Sequence, residues 1–296
     1  MRTAQNAHSD YATHGFLWDT ITLVFFTAIT VKKQPTPITY ARSNSENLKT
    51  LAFYNIKGGV GKTTSAVKIA YLAAQAELRT ILWDLDAQSC ASWYLGVDDQ
   101  TDHKIMRVFK GKTPLGKLRI SSAYPKLEVI PADLGLRKLE LLLDRADNRK
   151  VLQNLADHLS ENSRLLMFDC SPSYNRLSEA IFTCSDILVV PLVPSPLSLR
   201  AFEQLRDLLT SKKAWRHLEL FPFFTMVDRR RIVHNDFLLQ AKKLIGDANP
   251  VVIPYASDLE RMGIHRQPIA RFAASSPAAA AYQDMWQRLL KRYQLN

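Results

Sequence analysis

The residues that could do chemistry begin at Lys57-Gly58-Gly59-Val60-Gly61-Lys62-Thr63-Thr64. Three glycines, two lysines and two threonines in eight positions suit a phosphate-binding loop. Gly58, Gly59 and Gly61 carry no side chains, so the backbone can curl round a polyphosphate with its N–H groups pointing inward. Lys62 is spaced to reach the terminal phosphates, and the Thr63 hydroxyl to ligate Mg²⁺. The strict G-x-x-x-x-G-K-[ST] spacing is not met, because Ile56 occupies the place of its first glycine. A glycine-rich turn with two solvated lysines is the plainer alternative. It leaves unexplained why glycine, lysine and threonine all fall in register behind an apolar run.

Two further groups of carboxylates have the right setting. Asp84 and Asp86 lie in Trp83-Asp84-Leu85-Asp86-Ala87-Gln88-Ser89, and strand alternation puts both on the same side. Asp169 ends the apolar run Leu165-Leu166-Met167-Phe168 and is followed by Cys170-Ser171-Pro172-Ser173. A carboxylate there can hold Mg²⁺ through water, since this ion keeps much of its hydration shell. The alternatives are a pair of aspartates capping a turn and an ordinary buried strand with a polar end.

These groups need a scaffold that brings strand ends together. From residue 48 onward short apolar runs alternate with helical stretches, which predicts a doubly wound, mostly parallel α/β sheet with helices on both faces. Strands are expected at 50–55, 80–85, 127–131, 164–169, 187–192, 221–227 and 250–253. Helices are expected near 62–76, 134–159, 175–184, 198–213, 235–245 and 277–293. In the last, Tyr282, Met285, Trp286, Leu289, Leu290 and Tyr293 recur at helical spacing on one face. In such sheets ligands bind beyond the carboxyl ends of the strands, where the loop and all three aspartates fall.

The octapeptide, with its early Lys57, resembles the deviant Walker A loop of the ParA/MinD family of ATPases. The resemblance implies ATP and Mg²⁺ as ligands, with Gly58, Gly59, Val60, Gly61, Lys62, Thr63 and Thr64 around the phosphates. It implies that Lys57 crosses a dimer interface to the partner's ATP. The segment from Asp84 resembles the family's D-x-D-P-Q, with Ala87 in place of proline; by that likeness Asp86 orients the attacking water and Asp84 supports the Mg²⁺ shell. Asp169 then takes the Walker B position, with Thr63 and Asp169 beside the metal. Phe224-Thr225-Met226-Val227-Asp228-Arg229-Arg230 and Ile253-Pro254-Tyr255 resemble the family's stretches near the base, which makes Met226 and Pro254 candidate adenine contacts. A core methionine and a buried turn proline are equally good readings of those two residues.

The chain has 296 residues, 47% of them hydrophobic, with a formal net charge of +11. From Arg200 to the end 16 Lys/Arg face 9 Asp/Glu, so the positive excess lies in the back third. This favours polyanionic partners. Cys90, Cys170 and Cys184 are too few and scattered for a disulfide framework or a zinc site. A cytoplasmic, nucleoid-associated protein is expected. Residues 1–47 read as an extension outside the core domain of 48–296, or as the product of an upstream start. The apolar run from Phe16 to Val31 contains Asp19 and is shorter than the roughly 20 residues a membrane span needs. A genuine membrane anchor is the rival reading.

Three functions follow from the resemblance. The preferred one is a partition-type ATPase that dimerises on ATP, binds DNA without sequence preference, hydrolyses ATP slowly and answers to a ParB-like adaptor. Arg200, Arg206, Lys212, Lys213, Arg216, Lys242, Lys243, Arg266 and Arg271 are its candidate phosphate contacts. The second is a MinD-like membrane-positioning ATPase, which would need an amphipathic C-terminal helix with a basic face. The third is a metabolic ATP-dependent synthetase on the same fold.

Overall fold

The computed structural model describes residues 48–97, 104–133, 151–159 and 163–295, with scattered positions between 135 and 143. The expected extension 1–47 and part of the expected helix 134–159 lie outside the described residues. Eight strands form one sheet: β1 (Lys49–Phe53), β2 (Thr80–Leu85), β3 (Ile120–Ser121), β4 (Leu127–Ile130), β5 (Leu165–Cys170), β6 (Ile187–Leu192), β7 (Glu219–Val227) and β8 (Val252–Pro254). Their order is β3-β4-β2-β5-β1-β6-β7-β8. All neighbours are parallel except β3, a two-residue edge strand antiparallel to β4. Every residue of β2, β5 and β6 is buried, as strands covered on both faces must be.

Alternation along β1 splits the core into two layers. Ala52 and Tyr54 join Trp83, Phe168 and Val190 on one face. Leu51 and Phe53 join Leu82, Met167 and Val189 on the other. The second layer is covered by α1 (Lys62–Gln75) and the last helix, α11 (Pro277–Tyr293). Tyr282, Met285, Trp286, Leu289 and Tyr293 are buried there as their spacing predicts, so the apolar face of that helix is spent on the core. The Ser65 hydroxyl lies 2.9 Å from the Tyr282 hydroxyl and ties the two helices together.

Further helices among the described residues are α2 (Cys90–Tyr94), α3 (Lys104–Phe109), α4 (Val151–Asp157), α5 (Arg176–Cys184), α6 (Pro196–Ser211), α7 (Ile232–Leu239), α8 (Ala241–Ile245), α9 (Ser257–Glu260) and α10 (Met262–His265). Asn175 and Ser178 cap α5 reciprocally, each side chain accepting from the other's backbone N–H. Ser195 accepts from the Ser198 N–H and, with Pro196, starts α6 two residues before the expected position. The single helix expected over 235–245 is two, because the backbone leaves helical geometry at Gln240.

Lys68, on α1, breaks the apolar pattern. It is wholly buried, and its ammonium has no hydrogen-bond partner, only the Tyr71 ring 5.2 Å away. Burial pushes its pKa down to about 8. A lysine pKa lower in the folded chain than in the unfolded one stabilises the fold only above the unfolded value, and that contribution is lost as pH falls through about 8. Lys68→Met is therefore expected to stabilise the protein at neutral pH by about 2–3 kcal/mol, or roughly 5 °C in melting temperature. Chemical denaturation at several pH values checks this: the gain over wild type should shrink between pH 8 and 10.5.

Candidate functional site

Sheet register assembles the site. Phe53 is paired with Asp169, and Asp169 with Asp84, so the ends of β1, β5 and β2 lie side by side. The glycine-rich loop leaves β1 at that level and runs into α1. Gly59 and Gly61 adopt φ of 70° and 84°, a left-handed conformation that costs glycine little. At Gly61 a Cβ would come within 3.4 Å of the Thr225 Oγ1, so the loop also sits close to β7. Ser65 N–H closes the first turn of α1 on the Gly61 carbonyl.

Asn55, which the sequence reading missed, sets the entry to the loop. Its Nδ2 donates to the Pro191 carbonyl at 2.8 Å, and its Oδ1 accepts from the Lys57 N–H at 2.9 Å. The side chain thus anchors the loop to β6 and makes the turn that presents Lys57. An asparagine between an apolar strand and a glycine-rich stretch was the available signal. The Lys57 carbonyl accepts from Lys62 Nζ at 3.2 Å, so both backbone groups of Lys57 are held.

Lys62 is 6% exposed, and burial pushes its pKa down against the pull of Asp169. Asp169 is wholly buried, and neither of its carboxylate oxygens has a hydrogen-bond partner. Burial first, then the neighbouring Asp84, raise its pKa well above the carboxylate range, while Thr63 and Lys62 oppose the shift. Two orphaned oxygens in such a place fit a cation. The donor set suits Mg²⁺, which takes one or two carboxylates and fills its shell with water and phosphate oxygens.

Asp84 and Asp86 part company. Asp84 is buried and accepts three bonds, from the Ser92 N–H (2.9 Å) and hydroxyl (2.8 Å) and from the Asp86 N–H (3.2 Å). Burial raises its pKa to about 6 against those bonds. It therefore braces the turn that leads into α2, and does so where the family's proline is replaced by Ala87. Asp86 is half-buried; its Oδ1 accepts only from the Gln88 N–H at 3.0 Å, and its Oδ2 has no partner among the described residues. The structure thus brings Lys57, Lys62, Thr63, Asp84, Asp86 and Asp169 to one end of the sheet, with one acid bound up and one available.

Pro254 lines a cavity of about 680 Å³ together with Val227, Asp228, Arg230 and Tyr255. Met226 is not part of that lining. It has a positive φ of 54°, and its Cε reaches 4.0 Å from where a Gly61 Cβ would stand, over the phosphate loop. Arg230 grips Asp228 through Nε (2.9 Å) and Nη2 (2.8 Å), which lowers the Asp228 pKa to about 2.

A model of the AAA domain (AAA_31) matches residues 48–218, more than half of the chain. The chain belongs to this family. Its ParA/MinD membership rests on the similar proteins. The chromosome partitioning protein ParA of Caulobacter vibrioides is 27% identical over 83% of this chain and 95% of its own length. Among solved structures, cobyrinic acid a,c-diamide synthase of Mycobacterium smegmatis with bound ADP and magnesium is 25% identical, with a TM-score of 0.69 over 83% of this chain and 96% of its own. A putative plasmid partition protein of Borrelia burgdorferi bound to AMPPNP has a TM-score of 0.72 at 21% identity, over 83% and 99% of the two chains. This member of the ParA/MinD family thus shares its sheet with a synthase and a partition protein alike. Among the described residues no helix is long and apolar enough to cross a membrane.

Of the basic residues in the back third, Arg200, Arg206, Lys213, Arg216, Lys242, Lys243 and Arg271 are exposed. Two others are engaged. The Lys212 ammonium bonds Glu179 at 3.1 Å, and Arg266 stacks 4.1 Å over the Trp93 ring.

Proposed function

We propose that the chain is a ParA-type ATPase that binds ATP with Mg²⁺, closes into a homodimer on it, and carries or positions DNA. The observation that supports this best is the two-lysine loop, with Lys62 buried beside the partnerless carboxylate of Asp169. The loop N–H groups and Lys62 hold the β- and γ-phosphates, while Thr63 and Asp169 hold the ion and Asp84 fixes the turn beside it. An Mg²⁺ ion held there by Thr63 and Asp169 would neutralise charge on the phosphates. Asp86, with an open carboxylate oxygen, aligns the attacking water. Lys57 has both backbone groups pinned and presents its ammonium to the partner's triphosphate, so hydrolysis is slow until a second copy completes the site. A ParB-like adaptor would speed the step. Pro254 and the cavity beside it take the adenine, with Met226 closing over the loop. The core domain is 48–296, with 1–47 an extension, and the protein acts in the cytoplasm on the nucleoid.

DNA binding draws on the exposed cations from Arg200 to Arg271 and carries no sequence preference, because phosphate contacts read none. ATP-loaded protein is expected to shift any duplex at low salt. Affinity should fall roughly a thousandfold between about 50 and 200 mM salt if about six phosphates are neutralised. Electrophoretic mobility shifts with ATP, ADP and no nucleotide test this, and no shift at low salt with ATP would end the partition reading. A second reading, an ATP-dependent synthetase, is favoured by the likeness to the diamide synthase. It expects full ATP turnover with a small carboxylic acid substrate, and no effect of DNA.

A further inference from the structure

The turn that leaves β7 forms one wall of the cavity beside Pro254. Val227, Asp228, Arg229 and Arg230 all line it. The first residues of α7 hold that turn. The Asp228 N–H donates to Nδ1 of His234 at 3.0 Å. Asn235 donates from Nδ2 to the Arg229 carbonyl at 2.8 Å. The Arg231 N–H closes the turn on the Asp228 carbonyl at 3.1 Å, and the Tyr255 N–H ties the Val227 carbonyl to the end of β8 at 2.9 Å.

His234 is buried, 4% exposed, while Ile232, Val233 and Leu239 of the same helix are exposed. The helix thus hides an imidazole and leaves three of its aliphatics outside, the reverse of the usual amphipathic order. A neutral imidazole that accepts at Nδ1 carries its proton on Nε2. Burial first, then Arg231, lower the His234 pKa, and Asp228 opposes them. The ring is therefore neutral at pH 7, and its Nδ1 can accept.

We propose that His234 is a positioning residue for the nucleotide base: its Nδ1 fixes the turn 228–231 and so sets where the Asp228–Arg230 pair meets the ring in the cavity. This deepens the reading of the cavity given above and rests on it. A guanidinium clamped by both oxygens of a carboxylate suits stacking on a heterocycle. That clamp is local to the turn, so it keeps its own geometry yet stands in the wrong place when the turn moves. A proton on Nδ1 makes the acceptor a donor and sets it against the Asp228 N–H. The turn then loses its tie, and the base loses a wall. The base is thus held best above the His234 pKa. Its share of the affinity is lost as pH falls through that value, below the ordinary histidine value of about 6.5.

Calorimetric titration of the full chain with ADP and with inorganic pyrophosphate, each with Mg²⁺, separates the share of the base from that of the phosphates. Wild type should bind ADP more tightly than pyrophosphate. His234→Phe keeps a ring and loses the acceptor. It should weaken ADP by about fivefold to tenfold, the worth of one hydrogen bond, and leave pyrophosphate unchanged. His234→Asn offers Oδ1 in place of Nδ1 and should restore ADP binding. The ratio of wild-type to His234→Asn affinity, taken between about pH 5 and 8, cancels proton uptake by Asp84, Asp169 and the phosphates; it should fall at the acid end. An ADP loss in His234→Phe no larger than that of pyrophosphate, or a ratio flat with pH, would overturn the role of His234 and leave the nucleotide site standing. Wild type that binds ADP no better than pyrophosphate would overturn the cavity reading and this one together. Binding of neither would take the nucleotide site with them. If His234→Phe folds poorly, nitrogen NMR of the wild-type ring decides: by reciprocal linkage the His234 pKa should drop when ADP is added, and an unmoved pKa refutes the proposal.

Discussion

Lys62→Ala is expected to abolish nucleotide binding. The ammonium is buried, donates to the Lys57 carbonyl and stands in the field of Asp169. Burial disfavours its charge, so an anionic ligand that restores the balance gains strongly from it. Removing one member of a buried charge pair costs about 3–5 kcal/mol, a factor of about a hundred or more in dissociation constant. Equilibrium titration with a fluorescent ATP analogue reads this directly. A dissociation constant within about tenfold of wild type would take Lys62 out of contact with the phosphates. Melting curves without nucleotide should accompany the titration, because the variant also leaves Asp169 without its nearest cation.

Asp86→Ala should separate binding from turnover. Its carboxylate supports one backbone N–H, that of Gln88, so the loop, Lys62 and Asp169 stay in place without it. Affinity for ATP should be close to wild type. Hydrolysis should slow by about a hundredfold or more, the usual loss when a positioned proton acceptor is removed. The ATP-bound form should then accumulate as a dimer that stays on DNA, read by gel filtration and by mobility shift. Normal hydrolysis in this variant would give the water-orienting role to another group.

The fold was legible because its patterns are the direct print of burial. Ile187-Leu188-Val189-Val190 had to be a strand covered on both faces, and the spacing from Tyr282 to Tyr293 had to be a core-facing helix. The loop was legible for a related reason, since two of its glycines take positive φ. The antiparallel β3 was not, because two residues at an edge carry no periodicity. The break at Gln240 lacks glycine or proline to mark it. At the site, sequence could put Asp84 and Asp86 on one side of a strand. It could not reveal that Ser92, eight residues on, takes up one of them. Met226 illustrates the same limit, since its strained backbone directs it over the loop instead of into the cavity that Pro254 lines. Lys68 gave no warning, because a lysine inside a helical pattern reads as solvated until its burial is seen.

The bond between Ser65 and Tyr282 spans 217 positions of chain. At ribosomal speeds of about 5–20 residues per second, roughly ten to forty seconds separate the emergence of the two partners. The central strand waits in the same way for β5 and β6. A nascent chain stalled before α11 would thus carry the whole glycine-rich loop yet lack the support that keeps its helix in place. Competence to capture a nucleotide should arrive late in synthesis and all at once, leaving the earlier stretch to chaperones.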